Sequence, residues 1–512
     1  MLVLAFTLLL AAPGDVAAQL RHLQAAASAQ SPAPAPDGVR LAFVTTLFGS
    51  RQVASMGVGG SYPFQLTDEP SGVVAVRYAP NDARTLVATA LREGRRRLVF
   101  LDEEGSPPKD LDPSPGEQIF GGFTRDGKRL LYATVSEGRT TLSFLPMDTR
   151  KAAAIAPPPP AAGLPPTPHG QTIEEGLSGL LEISPPSPDS RTALAVVRRG
   201  DGEALVLVDL IGARAQVLLK ADGRARYRWP RYTADNKSLT VLTNAGRATM
   251  GVESIAVQGG AKKPLFVARN DIESYALSDD GHRLAVAISQ NGETIFSLLD
   301  NPSLRAQPLP QPPAGALAPG GAGEPTMVWN KAGDRLFFAW QQADDTTDVW
   351  SFRIGYGTAQ RHTRSPRPGL PRGTLVRPTP VKGVTPEGNE LQGWLWRPRD
   401  IEKPRVAVLA SRAEVRPVFD KRIAALNAAG VAVLAFNGPG AQAAALRYVR
   451  ESTDLDPSRQ ILLDFDGATI DDPTKWSGIV APPSVHKGGL DLDATDPDLT
   501  ALVKFATRPG SG

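Results

Sequence analysis

The segment ILLDFDGATIDD (461–472) runs four apolar residues into two aspartates and a glycine. In this pattern a buried strand delivers carboxylates to the end of a sheet. Asp464 and Asp466 are thus the first candidates for acid–base or cation chemistry. Carboxylates also recur at alternate positions in DLDATDPD (491–498), the arrangement that offers oxygen ligands to a hard cation. Neither stretch has the twelve-residue ligand pattern with its Gly and closing Glu. The simpler expectation is that these acids cap turns and open the helix predicted over DLTALVKFATR (498–508). Nearby hydroxyls are Ser411, Ser452, Ser458, Ser477 and Ser484, none of them in a G-x-S-x-G context. His486 is the only histidine after Asp466, and a surface-loop position is the expected one for it. The chain has no cysteine, which excludes disulfides, thiolate nucleophiles and thiolate ligands.

A sheet must position these groups. From about Leu375 the text LVRPTPVKGVTPEGNELQGWLWRPRD gives two strands around a PEGNE turn. RVAVLAS (405–411) is a buried strand, VFDKRIAALNAAG (418–430) an amphipathic helix closed by Gly430, and VAVLAFNGPG (431–440) a second buried strand. Apolar strands alternating with a helix of this length predict a parallel sheet with crossovers, whose sites gather at the carboxyl ends of the strands.

Upstream, a turn followed by an apolar strand recurs seven times. The copies are PDGVRLAFVTT (from Pro36), PNDARTLVATA (Pro80), RDGKRLLYATV (Arg125), PDSRTALAVVR (Pro188), ADNKSLTVLTN (Ala234), DDGHRLAVAIS (Asp279) and KAGDRLFFAWQ (Lys331). The spacing is about forty-five residues, stretched by two Pro-rich inserts (156–170 and 308–325) that cannot join a sheet interior. Asp, Asn and Gly suit the turns, and alternating apolar residues suit half-buried antiparallel strands. Units of about four short strands at this period are propeller blades, and closing seven of them into a ring removes exposed sheet edges. The one dense basic run, REGRRR (92–97), falls between two strands and is expected to be a solvated hairpin tip, not a nucleic-acid patch. Trp329, Trp340 and Trp350 in the last repeat are expected in the core.

This order of parts resembles the prolyl oligopeptidase family of serine peptidases, in which a propeller precedes an α/β-hydrolase domain. The resemblance rests on the repeats, on ELQGWLWRP (390–398), on RIAALNAAGVAVLAFNGPG (422–440) and on DPSRQILLDFDG (456–467). The last of these is similar to the family stretch D-P-x-R-I-A-L-x-G-x-S-x-G-G that leads into the nucleophile elbow. The resemblance implies peptide hydrolysis by a serine on a strand-to-helix turn, with an Asp and a His supplied later. It also places Asp466 where the serine stands and puts Asp464 and Ala468 in place of flanking glycines. SRAE (411–414) replaces the family's H-G-G-P-like segment, and only 46 residues follow Asp466. ILLDFDGAT is similar, too, to the first motif of haloacid-dehalogenase-type phosphatases. That resemblance would make Asp464 the nucleophile and Asp466 the proton donor around Mg2+. Ala468 before Thr469 departs from its pattern, and Asp471, Asp472 and Lys475 come too early to serve as its later residues.

With 512 residues, 41% apolar and 21% charged, and a net charge of +3, the composition is that of a globular protein able to bury a core. The start, MLVLAFTLLLAAPGDVAAQ, reads as a secretory signal over 1–18 with cleavage before Gln19. Lack of cysteine fits a bacterial periplasm. The expectation is therefore an exported seven-bladed β-propeller (37–365) followed by an incomplete α/β-hydrolase-like domain (375–512). The peptidase chemistry is expected to be lost or the chain truncated, and a peptide or protein ligand to bind at the propeller. The alternatives are a non-catalytic propeller binding protein and a still-active serine hydrolase. Nothing in the sequence supports nucleic acid, an organic cofactor, a firm metal site or a membrane span.

Overall fold

The computed structural model describes residues 16–147, 171–173, 176–320, 324–371, 373–480 and 498–507. The 156–170 insert, 491–497 and His486 lie outside the described residues.

Between 29 and 361 the described residues form seven antiparallel sheets, each built from consecutive strands, and these are the blades of a propeller. The first blade begins at Ala29, ahead of the first predicted turn. First strands of successive blades adjoin one another and form the inner ring, whereas fourth strands such as Arg214–Leu219 and Lys262–Phe266 are largely exposed. The predicted turns are built locally. The carboxylates of Asp37, Asp126, Asp189, Asp235 and Asp280 each accept the backbone N–H two residues on, at 2.9–3.1 Å. In four of these turns the preceding Thr124, Ser187, Thr233 or Ser278 donates its hydroxyl to the same aspartate. These are Asx-turns, in which the side chain mimics a backbone turn.

Half-burial does not hold for the second strands. Thr192–Arg199 is buried at five consecutive positions and Arg335–Gln342 likewise. Each inner sheet is covered on both faces by neighbouring blades, so the strands carry continuous apolar runs instead of a strict alternation. Blade 7 joins blade 1 through Phe337 and Val349 packed on Leu41, Phe43, Ala54 and Met56. Trp329, Trp340 and Trp350 are buried in the blade 6–7 core. The arginines of the predicted hairpin tip are paired: Arg92 with Glu69 and Asp110, and Arg96 with Glu117.

The second body is a six-stranded mixed sheet: β1 (Thr379–Val384), β2 (Glu390–Trp396), β3 (Arg405–Ala410), β4 (Val431–Phe436), β5 (Asp456–Asp464) and β6 (Gly478–Val480). The order is β1-β2-β4-β3-β5-β6. The β4, β3, β5 and β6 strands are parallel, and β1 and β2 run antiparallel at one edge. Helices α1 (Val16–Ala25), α2 (Lys421–Ala428) and α4 (Leu499–Thr507) pack together around Leu20, Leu23, Ala425, Leu499 and Val503. Helix α3 (Ala441–Glu451) covers the opposite face of the sheet. Asp420 caps α2 by accepting the Arg422 and Ile423 N–H groups, and Asp498 accepts the Ala501 N–H at the start of α4, as a helix-capping role requires. Among the described residues no helix is long and apolar enough to cross a membrane.

Candidate functional site

Strands β3, β4 and β5 bring their carboxyl ends to one edge, where Ser411, Asn437 and Asp464 follow or close them. Here the chain meets the propeller. Arg416 pairs with Glu273 at 2.9 Å, Ser289 donates to Glu414 at 2.8 Å, and the Phe419 N–H donates to the Gln342 carbonyl at 2.8 Å. The SRAE stretch thus begins an interdomain strut. Asn437 clasps it from β4, accepting the Val415 N–H at 2.7 Å and donating to the Val415 carbonyl at 3.0 Å.

Asp464 is 1% exposed. Its Oδ1 accepts three backbone N–H groups, from Asp466 at 3.1 Å, Gly467 at 2.7 Å and Ala468 at 2.9 Å. Its Oδ2 is buried without a hydrogen-bond partner among the described residues. Charge-assisted bonds of this kind hold a tight turn in the left-handed region, where Gly467 has φ of 76°. Asp466 points outward. Its Oδ2 accepts the Ser411 hydroxyl at 2.7 Å and the Arg412 N–H at 2.9 Å, while the Arg412 guanidinium returns to the Gly467 carbonyl. Gln442 of α3 secures the following loop through the Thr469 carbonyl and the Asp471 N–H.

The structure therefore brings Asp464, Asp466 and Ser411 together. The other described serines, Ser452, Ser458 and Ser477, sit toward the amino ends of the parallel strands. Described histidines lie elsewhere: His22 on α1, His282 in a propeller turn and His362 in blade 7. Asp472 caps the 3-10 turn Pro473–Lys475 and pairs with Lys475 at 3.4 Å. Among the described residues no three His, Cys, Asp or Glu side chains converge as a metal site would. The pairing of Ser411 with Asp466 had no sequence signal, since fifty-five residues separate them.

No protein-family model matches the sequence, and no curated protein matches it. Solved structures do. A prolyl endopeptidase studied for inter-domain dynamics in catalysis and specificity superposes with a TM-score of 0.70 at 13% identity, over 92% of this chain and 74% of that one. The fold is that of the prolyl oligopeptidases. A puromycin-hydrolysing peptidase of Mycobacterium tuberculosis matches at 0.68 and 16% identity, over 90% of this chain and 78% of its own. Prolyl oligopeptidase B from Galerina marginata, bound to a 35mer substrate, matches at 0.66 and 10% identity, over 91% and 73%.

Within the prolyl oligopeptidase fold, the end of β5 departs from the nucleophile elbow the sequence resemblance implied. An elbow is a strand-to-helix turn whose oxyanion donor is the N–H after the nucleophile. After Asp466 the chain runs on to a single 3-10 turn and then β6, with no α-helix between. The N–H after Asp466 belongs to Gly467 and is bound to the Asp464 carboxylate.

Proposed function

We propose that this chain is a prolyl oligopeptidase-family protein, with an incomplete α/β-hydrolase domain, that binds peptides at its propeller and does not hydrolyse them through an acyl-enzyme. The observation that carries this reading is the Gly467 N–H, held at 2.7 Å by a carboxylate. An acyl transfer needs that donor free to stabilise the developing oxyanion, and a fixed negative charge beside it works against a second one. Asp466 in the nucleophile position supports the same reading, because a carboxylate attacking a peptide carbonyl would have to form a high-energy mixed anhydride instead of an acyl-serine ester.

Ser411 favours a second reading, residual hydrolase activity, since its hydroxyl already donates to Asp466. A fluorophosphonate probe separates the two. The purified chain is expected to stay unlabelled. Stoichiometric labelling that disappears in Ser411→Ala would overturn the non-catalytic reading. Export is part of the proposal, supported by the apolar start and the lack of cysteine. N-terminal sequencing of the periplasmic fraction is expected to read from Gln19. Recovery only from the cytoplasm with residues 1–18 intact would refute it. Such a mature chain keeps Leu20 and Leu23, the buried anchors of α1.

A further inference from the structure

The propeller channel carries a charge arrangement that the site on the α/β sheet does not use. Inner strands of blades 1–6 each contain a register shift, at 30–33, 73–75, around Gly121, and at 180–182, 228–231 and 272–274. Such bulges re-aim side chains. In blade 5 the bulge falls on Trp229 and Pro230, with Trp229 at φ 51°, a strained position for an aromatic residue. The next residue, Arg231, is exposed although its strand is innermost, so its guanidinium stands in the channel. It makes no hydrogen bond or ion pair with any described residue. Its charge acts on Arg77 of blade 2, Glu182 of blade 4 and Tyr275 of blade 6, which places it within reach of three walls.

Arg77 lies over the Phe120 ring at 4.3 Å and is the second cation. Burial and the charge of Arg231 push it down to about 9. Its Nη1 is buried and unpartnered, whereas its Nη2 pairs with Glu324. Glu324 belongs to blade 7, whose inner strand stops after Leu317 and resumes at Met327, so its carboxylate comes from the far side of blade 1. Glu182, the acid on which the charge of Arg231 acts, does not compensate it. Glu182 holds the Trp229 N–H at 3.1 Å and is pushed up to about 8 by burial, so at neutral pH it is mostly uncharged.

We propose that Arg231 and Arg77 form a carboxylate-binding site in the channel that takes an acidic peptide, with Glu324 as the chain's own occupant of one of the two arginines. Guanidinium forks suit carboxylates, and an unpaired arginine in a partly desolvated channel gains a charge-assisted bond on binding. Phe120 and Trp229 supply apolar surface beside it. The proposal rests on the peptide-binding reading above and names its ligand class.

The test is fluorescence anisotropy of the full chain with two dye-labelled, end-capped tetrapeptides, one of glutamate and one of glutamine, with inorganic phosphate as competitor. The glutamate peptide is expected to bind about tenfold more tightly, the effect of one charge-assisted contact. Arg231→Gln, a change at an exposed and unpaired side chain, is expected to remove that preference and leave the glutamine peptide unchanged. Glu324→Gln, which frees Arg77, is expected to strengthen glutamate binding. Equal binding of both peptides, or a preference that survives Arg231→Gln, overturns this inference alone. Binding of neither peptide overturns the peptide-binding reading with it. Phosphate binding that needs Arg231 while no peptide binds overturns the acidic peptide as the ligand.

Discussion

Replacing Asp464 by alanine tests whether this residue is a structural cap or a chemical group. Its Oδ1 holds three N–H groups, and two of them, on Gly467 and Ala468, belong to buried residues. Leaving two buried donors unmade costs about 2–6 kcal/mol, at about 1–3 kcal/mol each. Against this, Oδ2 is buried without a partner, and removing it relieves a desolvation cost of about 1–3 kcal/mol. The net expectation for Asp464→Ala is a loss of about 2 kcal/mol. Asp464→Asn keeps the Oδ1 acceptor, so it is expected to cost about 1 kcal/mol or less. Equilibrium urea unfolding measures the stability, and hydrogen exchange read by mass spectrometry over 464–471 measures the turn. An alanine variant within about 0.5 kcal/mol of wild type, the error of such comparisons, with unchanged exchange at Gly467 and Ala468, would refute the capping argument. If that variant also lost a phosphatase turnover present in the wild type, Asp464 would be a nucleophile.

Other consequences can be checked in the same way. His362 sits between blades 7 and 1, with Nε2 at 2.8 Å from Ser351 Oγ and Nδ1 at 3.2 Å from the Val58 carbonyl, and burial followed by the charge of Arg335 pushes it down to about 4. The unfolded chain then binds the proton first, so stability present above pH 6.5 is lost as pH falls toward 4. By pH 5 the loss is about 2 kcal/mol, and the unfolding profile of His362→Gln is expected to be flatter by that amount; identical profiles would contradict it. Arg361 joins Asp345 and Asp348, carboxylates 3% and 1% exposed, so Arg361→Ala is expected to cost about 3–5 kcal/mol in urea unfolding. Leu23, 2% exposed on α1, should cost about 2–4 kcal/mol as Leu23→Ala. A neutral result there would mean that α1 does not belong to the folded body.

The propeller was legible in the chain because its signals are local. An aspartate that accepts the N–H two residues on, as Asp126 and Asp280 do, needs no distant partner. Seven turn-and-strand repeats at a period of about forty-five residues, five of them with this aspartate turn, then imply the ring. The Asp498 cap on α4 was readable for the same reason, whereas the helix expected from Val418 starts only at Lys421, where Asp420 caps it. The alternation expected of the second strands failed because burial on the second face comes from the neighbouring blade, which no single repeat contains.

The site divides along the same line. Sequence placed Asp464 and Asp466 at the end of a buried strand and showed that no serine stands there. Only the folded chain decided what the two carboxylates do. One collects three amides of its own turn, and the other binds a serine that arrives from the neighbouring strand. The channel pair is more remote still. Arg77, Arg231 and Glu324 come from three blades, and their charges meet because the ring closes. Residue type and short spacing determine turns, caps and strand runs, since those interactions span a few residues. Which charges face one another across a channel follows from ring closure, and that is a property of the tertiary structure.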